Sequence, residues 1–203
     1  TRAQADAIIA DAADDLQLAS EFVPIATTVT DVTVNYNSGW NMVSLPVMPV
    51  DNSLAALFPD AISSFKFEGG YQQVFSLDPC VGYWLNLPGG TTGTYVVTGA
   101  PVDPCATAAA LADPPAPAGW NMLGVPIGGV VVDNIRENPA GMITSIFGFA
   151  GGYQQRTGQD LLQEGGGFWF NLASTGQLTM NSETGGVPAA KRISSLPGSS
   201  RLS

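Results

Sequence analysis

The sequence predicts a mainly β protein built from two tandem, internally duplicated modules, each a small β-sandwich or partly open β-barrel, with an N-terminal helix in front. Two observations predict this. The chain holds 24 Gly and 15 Pro among 203 residues, which favours turns and short strands over long helices. Three landmarks also occur twice in the same order: GWNM at 39–42 and 119–122, GGYQQ at 69–73 and 151–155, and GYWLNL at 82–87 answered by GFWFNL at 167–172.

These landmarks divide the chain into five segments. They are an N-terminal helix and arm (1–31), a first β-repeat module (32–100), a Pro/Ala-rich junction (101–117), a second β-repeat module (118–181) and a Ser/Gly-rich C-terminal tail (182–203). Each module is expected to contain strands at its GWNM motif, on both sides of its Gly-Gly turn and at its Gly-aromatic-Trp motif, because these stretches are rich in aromatic and branched residues.

The N-terminal segment has no counterpart before the second module. Residues 1–20 carry apolar side chains at three- and four-residue steps, which predicts an amphipathic helix. This helix either packs as a lid on the first module, or docks on another subunit or connects to an upstream domain. The β-rich arm that follows, residues 27–36, is suited to completing a neighbour's sheet by strand addition.

The charge balance excludes several partners. Seventeen acidic residues stand against seven basic ones, so the net charge is −10 and the surface repels phosphate backbones and anionic membranes. Nucleic acid is therefore not an expected partner. No apolar run reaches the roughly 20 residues of a membrane span. Few lysines and abundant Thr, Ser, Asn and Gly are typical of secreted proteins, so we expect a secreted, extracellular or cell-surface location.

Two cysteines, Cys80 and Cys105, are present. A disulfide between them would close a loop of about 25 residues and contribute roughly 3 kcal/mol in the chain-entropy model. The alternative is a pair of unrelated buried thiols; we favour the disulfide. Two cysteines without histidine do not supply the four ligands of a usual structural zinc site.

Catalysis is not expected. The chain contains no histidine, which excludes Ser-His-Asp and Cys-His nucleophilic catalysis. Paired carboxylates are the remaining option, and no pattern selects one pair from the candidates. These candidates are Asp51, Asp78, Asp133, Asp160 and Glu164. No calcium-loop spacing surrounds Asp51 or Asp133, so no metal and no cofactor is predicted.

Residues that occur in both modules are needed twice, which suits a structural part better than a single active site. We therefore expect the four tryptophans to be core residues of the repeat rather than sugar-stacking platforms, and the two asparagines to hydrogen-bond to backbone at a turn or bulge. These residues are Trp40, Trp120, Trp84, Trp169, Asn41 and Asn121.

The residues just past each Gly-Gly turn are the candidates for a recurrent exposed surface that contacts a ligand. They are Tyr71, Tyr153, Gln72 and Gln154. The alternative for the tyrosines is ordinary packing within a strand.

The repeat resembles the Gly-Trp-Asn-Leu-Ile-Ser-Leu-Pro motif of tandem β-repeat modules in bacterial secreted and cell-surface proteins. Residues 39–46 and 82–84 match it closely, and 119–126 matches with Gly124 in place of serine and Phe168 in place of the later tyrosine. Such modules have no recognised catalytic residues, so the resemblance implies location and architecture rather than activity.

Two functions follow as expectations. The first is a non-catalytic extracellular structural protein, a subunit of a surface fibre or surface layer that self-associates as a homo-oligomer or polymer through its terminal helix and arm. The second is a carbohydrate- or surface-binding module of a larger secreted enzyme or adhesin, with glycans as partners and exposed aromatics on one face. The first function would depend on the parts that are not duplicated, and the second on the parts that are.

Overall fold

The computed structural model describes residues 28–106 and 116–183. The helix predicted over residues 1–20, the run at 107–115 and the tail beyond residue 183 lie outside these described residues. Inside them, antiparallel strands dominate, and the helical content is one short α-helix, α1 (Leu54–Leu57), and one 3-10 turn, Val132–Asn134. The prediction of a mainly β chain is confirmed.

The first half of the molecule, residues 28–101, contains two sheets. Its strands are β1 (Thr30–Tyr36), β2 (Gly39–Ser44), β3 (Val47–Met48), β4 (Ser63–Phe67), β5 (Tyr71–Val74), β6 (Gly82–Leu87) and β7 (Gly93–Pro101). One sheet has the order β1-β7-β3 and the other the order β2-β6-β4-β5.

The second half, residues 105–106 and 116–183, repeats the four-stranded sheet. Its strands are β8 (Cys105–Ala106), β9 (Gly119–Gly124), β10 (Val130–Val131), β11 (Arg136–Asn138), β12 (Ile143–Phe149), β13 (Tyr153–Arg156), β14 (Leu161–Leu162), β15 (Gly167–Leu172) and β16 (Gln177–Met180). The order β9-β15-β12-β13 matches β2-β6-β4-β5 strand for strand, while β11-β16-β8 and β10-β14 form smaller sheets.

Local sequence explains these strands. In β1 the buried Val32 and Val34 alternate with polar, mostly exposed residues, as expected for a strand with one face on a core. The hairpins β4–β5 and β12–β13 turn at Gly69 and Gly151, whose φ values of 69° and 71° are easily reached only by glycine.

Each half has its own apolar core between its sheets. In the first half, Val32 and Val97 of one sheet meet Leu85 and Leu87 of the other. In the second half, the core is formed by residues of β16, the four-stranded sheet and β8. They include Leu178, Met180, Ile146, Phe170 and Cys105.

Reciprocal backbone hydrogen bonds join the two halves. The Ser44 amide donates to the Gly165 carbonyl at 2.8 Å, and the Gly124 amide donates to the Cys80 carbonyl at the same distance. Ser44 corresponds to Gly124, and Cys80 corresponds to Gly165, in the aligned repeats. The contacts therefore relate the halves by an approximate two-fold rotation. Cys80 and Gly165 both have positive φ, 64° and 76°.

Ser44 and Gly124 meet at the centre of this junction. A Cβ atom placed on Gly124 would lie 2.5 Å from the Ser44 Cβ, too close for any side chain. The Ser44 hydroxyl donates to the Gly166 carbonyl at 2.7 Å. Gly124 stands where the motif has a serine. Glycine is required there because Ser44 of the first half occupies the space that a second side chain would need.

The predicted disulfide is present and joins Cys80 to Cys105, with the two Cα atoms 5.5 Å apart. Cys80 belongs to the first half, whereas Cys105 lies in β8, which pairs with β16 of the second half. The bond therefore ties a loop at the junction to the opposite half. This arrangement adds a covalent link to the hydrogen bonds between the halves.

The strand proposed as an arm for a neighbour is already used. Thr30–Tyr36 pairs along its whole length with β7 of the same chain. Residues 30–36 are therefore the edge strand of the chain's own sheet, and their two buried valines complete the first core. Strand addition to a neighbour through this stretch stays a prediction. Residues 1–27 lie outside the described part of the chain.

Candidate binding surface

The four-stranded sheets turn matching faces toward each other. Because side chains alternate along a strand, every second residue of these sheets points away from its own core. The cross-strand register places these residues in three rows on each sheet. The rows are Trp40–Asn86–Ser63, Met42–Trp84–Phe65–Gln73 and Phe67–Tyr71 in the first half, and Trp120–Asn171–Ser145, Met122–Trp169–Phe147–Gln155 and Phe149–Tyr153 in the second.

Every position in these three rows carries the same residue in both halves, and the next position along the first strand differs, with Ser44 in one half and Gly124 in the other. The opposite face, which packs on the cores, differs: Ser64 corresponds to Ile146, and Leu85 to Phe170. The identity is therefore more extensive on this side of the sheets, although the other side also keeps some matched pairs, such as Asn41 with Asn121 and Gln72 with Gln154.

The two faces interlock at a third apolar cluster. Met42, Trp84, Met122 and Trp169 are buried there. Each β-hairpin reaches over the tryptophan of the other half: Phe67 packs edge-on against Trp169 and Phe149 against Trp84, with ring centroids 4.9 Å apart in both pairs. Such T-shaped contacts are a favoured geometry for aromatic pairs.

Two aromatic grooves flank this cluster. The first groove has a volume of about 430 Å³ and is lined by Trp40, Phe65, Tyr71, Trp84 and Phe149. The second groove, of about 420 Å³, is lined by the counterparts of these five residues together with Tyr71. They are Trp120, Phe147, Tyr153, Trp169 and Phe67. Because Tyr71 lines both, the grooves are neighbours. We call the ten lining aromatic residues the aromatic belt.

Part of the belt is open to solvent. Trp40 and Trp120 are 46% and 45% exposed, and Tyr71 and Tyr153 are 59% and 58% exposed. The prediction that Trp40 and Trp120 are core residues is wrong. They share a face with the buried Trp84 and Trp169, but the opposing half covers only the centre of that face.

The tyrosines lie where the sequence placed them, but their glutamine neighbours divide between two faces. Gln72 and Gln154 are exposed and point to the side of the hairpin opposite the tyrosines, where Gln72 pairs with Lys66. Gln73 and Gln155 share the face of the belt and are exposed. Sequence reasoning missed Gln73 and Gln155, although strand alternation counted from the tyrosines selects them.

Further amides stand beside the half-exposed tryptophans. Asn86 lies directly across the strand pair from Trp40, and Asn171 lies across from Trp120. All four side chains are on the belt's face, and residues directly opposite each other have neighbouring Cβ atoms. On each belt face, one Gln and one Asn thus lie outside the residues that line the groove, and we call these two amides the rim of that groove.

Asn41 and Asn121 point to the other side and hold the entry to the first belt strand in each half. The Asn41 side-chain amide donates to the carbonyls of Asn37 and Gly39 at 2.8 and 3.1 Å. Asn121 donates in the same way to Pro117 and Gly119 at 2.9 and 3.1 Å. Both asparagines are nearly buried, so these bonds satisfy polar groups that would otherwise be costly to bury.

The carboxylates considered for catalysis lie in loops or, for Asp133, in the 3-10 turn, and they line neither groove. Asp51 accepts from the Ser53 amide, which lowers the pKa of its carboxyl group. Asp160 accepts from Thr157, and Glu164 accepts from Gly128 at 2.6 Å. Asp133 accepts from the Gln159 side chain. These carboxylates organise turns.

Among residues 28–106 and 116–183, no group of three or more His, Cys, Asp or Glu is arranged to hold a metal ion. No helix in that part of the chain has the length and apolarity that a bilayer crossing requires. The belt, an open apolar surface, is the feature of the described structure best suited to contact a ligand.

Comparison with known proteins gives no assignment: no family model, no curated protein and no solved structure matches the chain.

Proposed function

We propose that this chain is a non-catalytic extracellular binding protein that holds its ligand against the two grooves of the aromatic belt. One observation carries the proposal. The belt's exposed positions hold the same residues in both halves, although exposed positions are the ones that packing constrains least. Trp40 and Trp120, Tyr71 and Tyr153, and Gln73 and Gln155 are such pairs.

The alternative explanation for these identities is the packing of the two halves against each other, a contact region that we call the seam. Interlocking of the halves accounts for the buried Trp84 and Trp169 and for the phenylalanines that pack on them. It does not account for side chains that are about half exposed at the outer ends of the grooves. Large solvent-exposed apolar surfaces commonly mark interaction sites.

The architecture supports the same proposal. We infer that the two halves are duplicated small β-sandwich modules, in keeping with their shared strand order and reciprocal contacts. An extracellular location is supported by the Cys80–Cys105 disulfide, because such bonds persist in oxidising compartments. The resemblance to modules of bacterial secreted and cell-surface proteins is consistent with this location.

Self-assembly through the terminal segments stays a prediction. Those segments lie outside the described residues, and β1 is paired within its own chain. The belt therefore gives the binding function the stronger support.

Calorimetric titration with three classes of probe tests the proposal. The probes are cellohexaose as an uncharged oligosaccharide, an uncharged amphipathic peptide, and 2-naphthol as a small aromatic compound. We expect at least one class to bind the wild type, and the double variant Trp40→Ala/Trp120→Ala to lose that binding.

Phe75→Ala is the matched control, because Phe75 is 71% exposed and lines neither groove. Circular dichroism verifies that each variant is folded. If none of the three probes binds the wild type, or if the double variant binds as tightly as the wild type, the proposal is refuted.

A further inference from the structure

We propose that each groove binds an uncharged β-linked glycan whose pyranose rings carry equatorial hydroxyls, so that one chain holds two glycan strands. This inference rests on the proposed binding function and names its ligand. It follows from the composition of the groove, the chemistry of the rim and the approximate two-fold relation between the grooves.

The floor and walls of each groove are aromatic rings. A pyranose with equatorial hydroxyls presents its axial C–H groups on both faces of the ring, and these faces stack on aromatic rings. Trp40 in one groove and Trp120 in the other are half exposed and already supported from behind, by Trp84 and Trp169 at centroid distances of 6.1 and 6.0 Å. A supported ring keeps its position when a ligand leaves, so little side-chain entropy is lost on binding.

The rim supplies the polar part of the recognition. Hydroxyl groups around the edge of a sugar ring both donate and accept hydrogen bonds, and a carboxamide does the same through its NH2 and its oxygen. Gln73 and Asn86 lie on the face of the first groove, and Gln155 and Asn171 on the face of the second. An apolar helix pressed on the belt would instead bury these amides against hydrocarbon, which is unfavourable.

Charge indicates an uncharged glycan. The residues that line the grooves are all aromatic and carry no ionised side chain. The chain as a whole has a net charge of −10. Sulfated, phosphorylated or uronic-acid polymers would be repelled by this field and would find no cation in either groove.

The approximate two-fold rotation determines how two strands would lie. A glycan has a reducing and a non-reducing end, so a site binds it in one preferred direction. Grooves related by a two-fold axis that runs between them favour strands of opposite direction. Each chain would then bridge two antiparallel glycan strands, or two segments of a folded one.

Calorimetric titration of the full chain with cellohexaose and with chitohexaose tests this inference. We expect two equivalents of at least one of them per wild-type chain. Trp40→Ala and Trp120→Ala should each leave one equivalent, and the double variant should bind at least ~10-fold more weakly or not at all. Phe75→Ala is expected to behave as the wild type.

Two further arms separate glycan recognition from general apolar binding. Hexagalacturonate is expected not to bind, because it is a charged hexamer. Gln73→Ala/Gln155→Ala should weaken glycan binding by about 5-fold or more, since each groove loses one hydrogen-bonding side chain. The same variant should leave binding of an apolar probe unchanged.

The outcomes distinguish this inference from the function on which it rests. If the amphipathic peptide or 2-naphthol binds the belt and neither sugar does, the glycan assignment is wrong and the binding function stands. If no probe binds, both are wrong. One equivalent in the wild type, or two in either single tryptophan variant, would overturn the two-site arrangement.

Discussion

The two faces of the matching four-stranded sheets differ in how closely the two halves agree in sequence. On the belt side the halves carry the same residue at every position except Ser44 and Gly124, whereas on the core side Phe168 replaces Tyr83 and Phe170 replaces Leu85. Cores accept substitutions that keep volume and apolar character. The comparison teaches that the outward face is the more constrained one, although part of it is exposed. Such a constraint is expected of a surface that contacts something outside the chain.

The centre of the seam shows the opposite behaviour. Ser44 and Gly124 occupy equivalent positions and touch each other, and they differ because two serines would not fit. An approximate axis thus forces asymmetry where it passes through the protein, while the surfaces beside it remain alike. The two halves are therefore not interchangeable at this position.

The largest effect that we expect is on the free energy of unfolding, and it differs between the buried and the half-exposed tryptophans. Trp84→Ala or Trp169→Ala should lower the free energy of unfolding by about 3–5 kcal/mol, because each leaves a cavity at the seam. Trp40→Ala and Trp120→Ala should cost about 1 kcal/mol, since these side chains are half exposed. Urea denaturation measures both. Equal losses at the two kinds of position would mean that Trp40 and Trp120 serve the fold, and the argument from exposure would fail.

A smaller effect should appear at the centre of the seam. Gly124→Ser should destabilise the chain by about 1–3 kcal/mol, because the new Cβ atom meets Ser44. The exchange Ser44→Gly/Gly124→Ser should recover most of this loss, since it restores one serine to the pair. Urea denaturation of the two single variants and the double variant completes a mutant cycle. Additive losses in the cycle would show that the residues do not compete for the same space.

The smallest effect concerns Tyr83, whose counterpart in the second half is Phe168. Burial raises the pKa of Tyr83 to about 12, although its hydroxyl accepts a hydrogen bond from the Asp78 amide. The folded state thus holds this proton more tightly than the unfolded state, whose tyrosines titrate near 10. The resulting stability is present below pH 10 and is lost as the pH rises from 10 to 12.

Tyr83→Phe should cost about 1 kcal/mol at neutral pH, because the Asp78 amide loses its partner. The same variant should reduce the alkaline loss of stability by roughly 2 kcal/mol. Burial, together with the Asp60 carboxylate that accepts from the hydroxyl, also raises the pKa of Tyr95 to about 12, so part of the loss should remain. Urea denaturation between pH 9 and 11.5 tests this. Identical pH profiles for variant and wild type would exclude Tyr83 as a contributor.

Much of the strand content could be predicted from local patterns. The repeated motifs became the belt strands, because period-two alternation and Gly-Gly turns are properties of short stretches. The presence of just two cysteines, whose bond would close a loop of about 25 residues, is consistent with the observed disulfide. The tyrosines past the turns are exposed, where sequence reasoning placed a recurrent surface.

The grooves could not be predicted, because they depend on how one half sits on the other. Trp40 and Trp84 share a face, and only the packing of Phe149 decides that Trp84 is covered while Trp40 stays half open. Repetition in the sequence favours a structural role for the repeated residues. The structure shows that repetition and exposure coincide in the belt, so a duplicated residue can equally belong to a duplicated site.

The position of strand β8 suggests that the chain could be assembled from two separate fragments. It is bonded through Cys105 to Cys80 of the first half, yet its sheet partner is β16 of the second. A peptide-bond cut within residues 107–115 would leave β8 on the amino-terminal piece, and the carboxy-terminal piece would lack one strand of its smaller sheet. Each piece would then carry a strand or contact surface that the other lacks, so we expect the two pieces to reassociate without a covalent link.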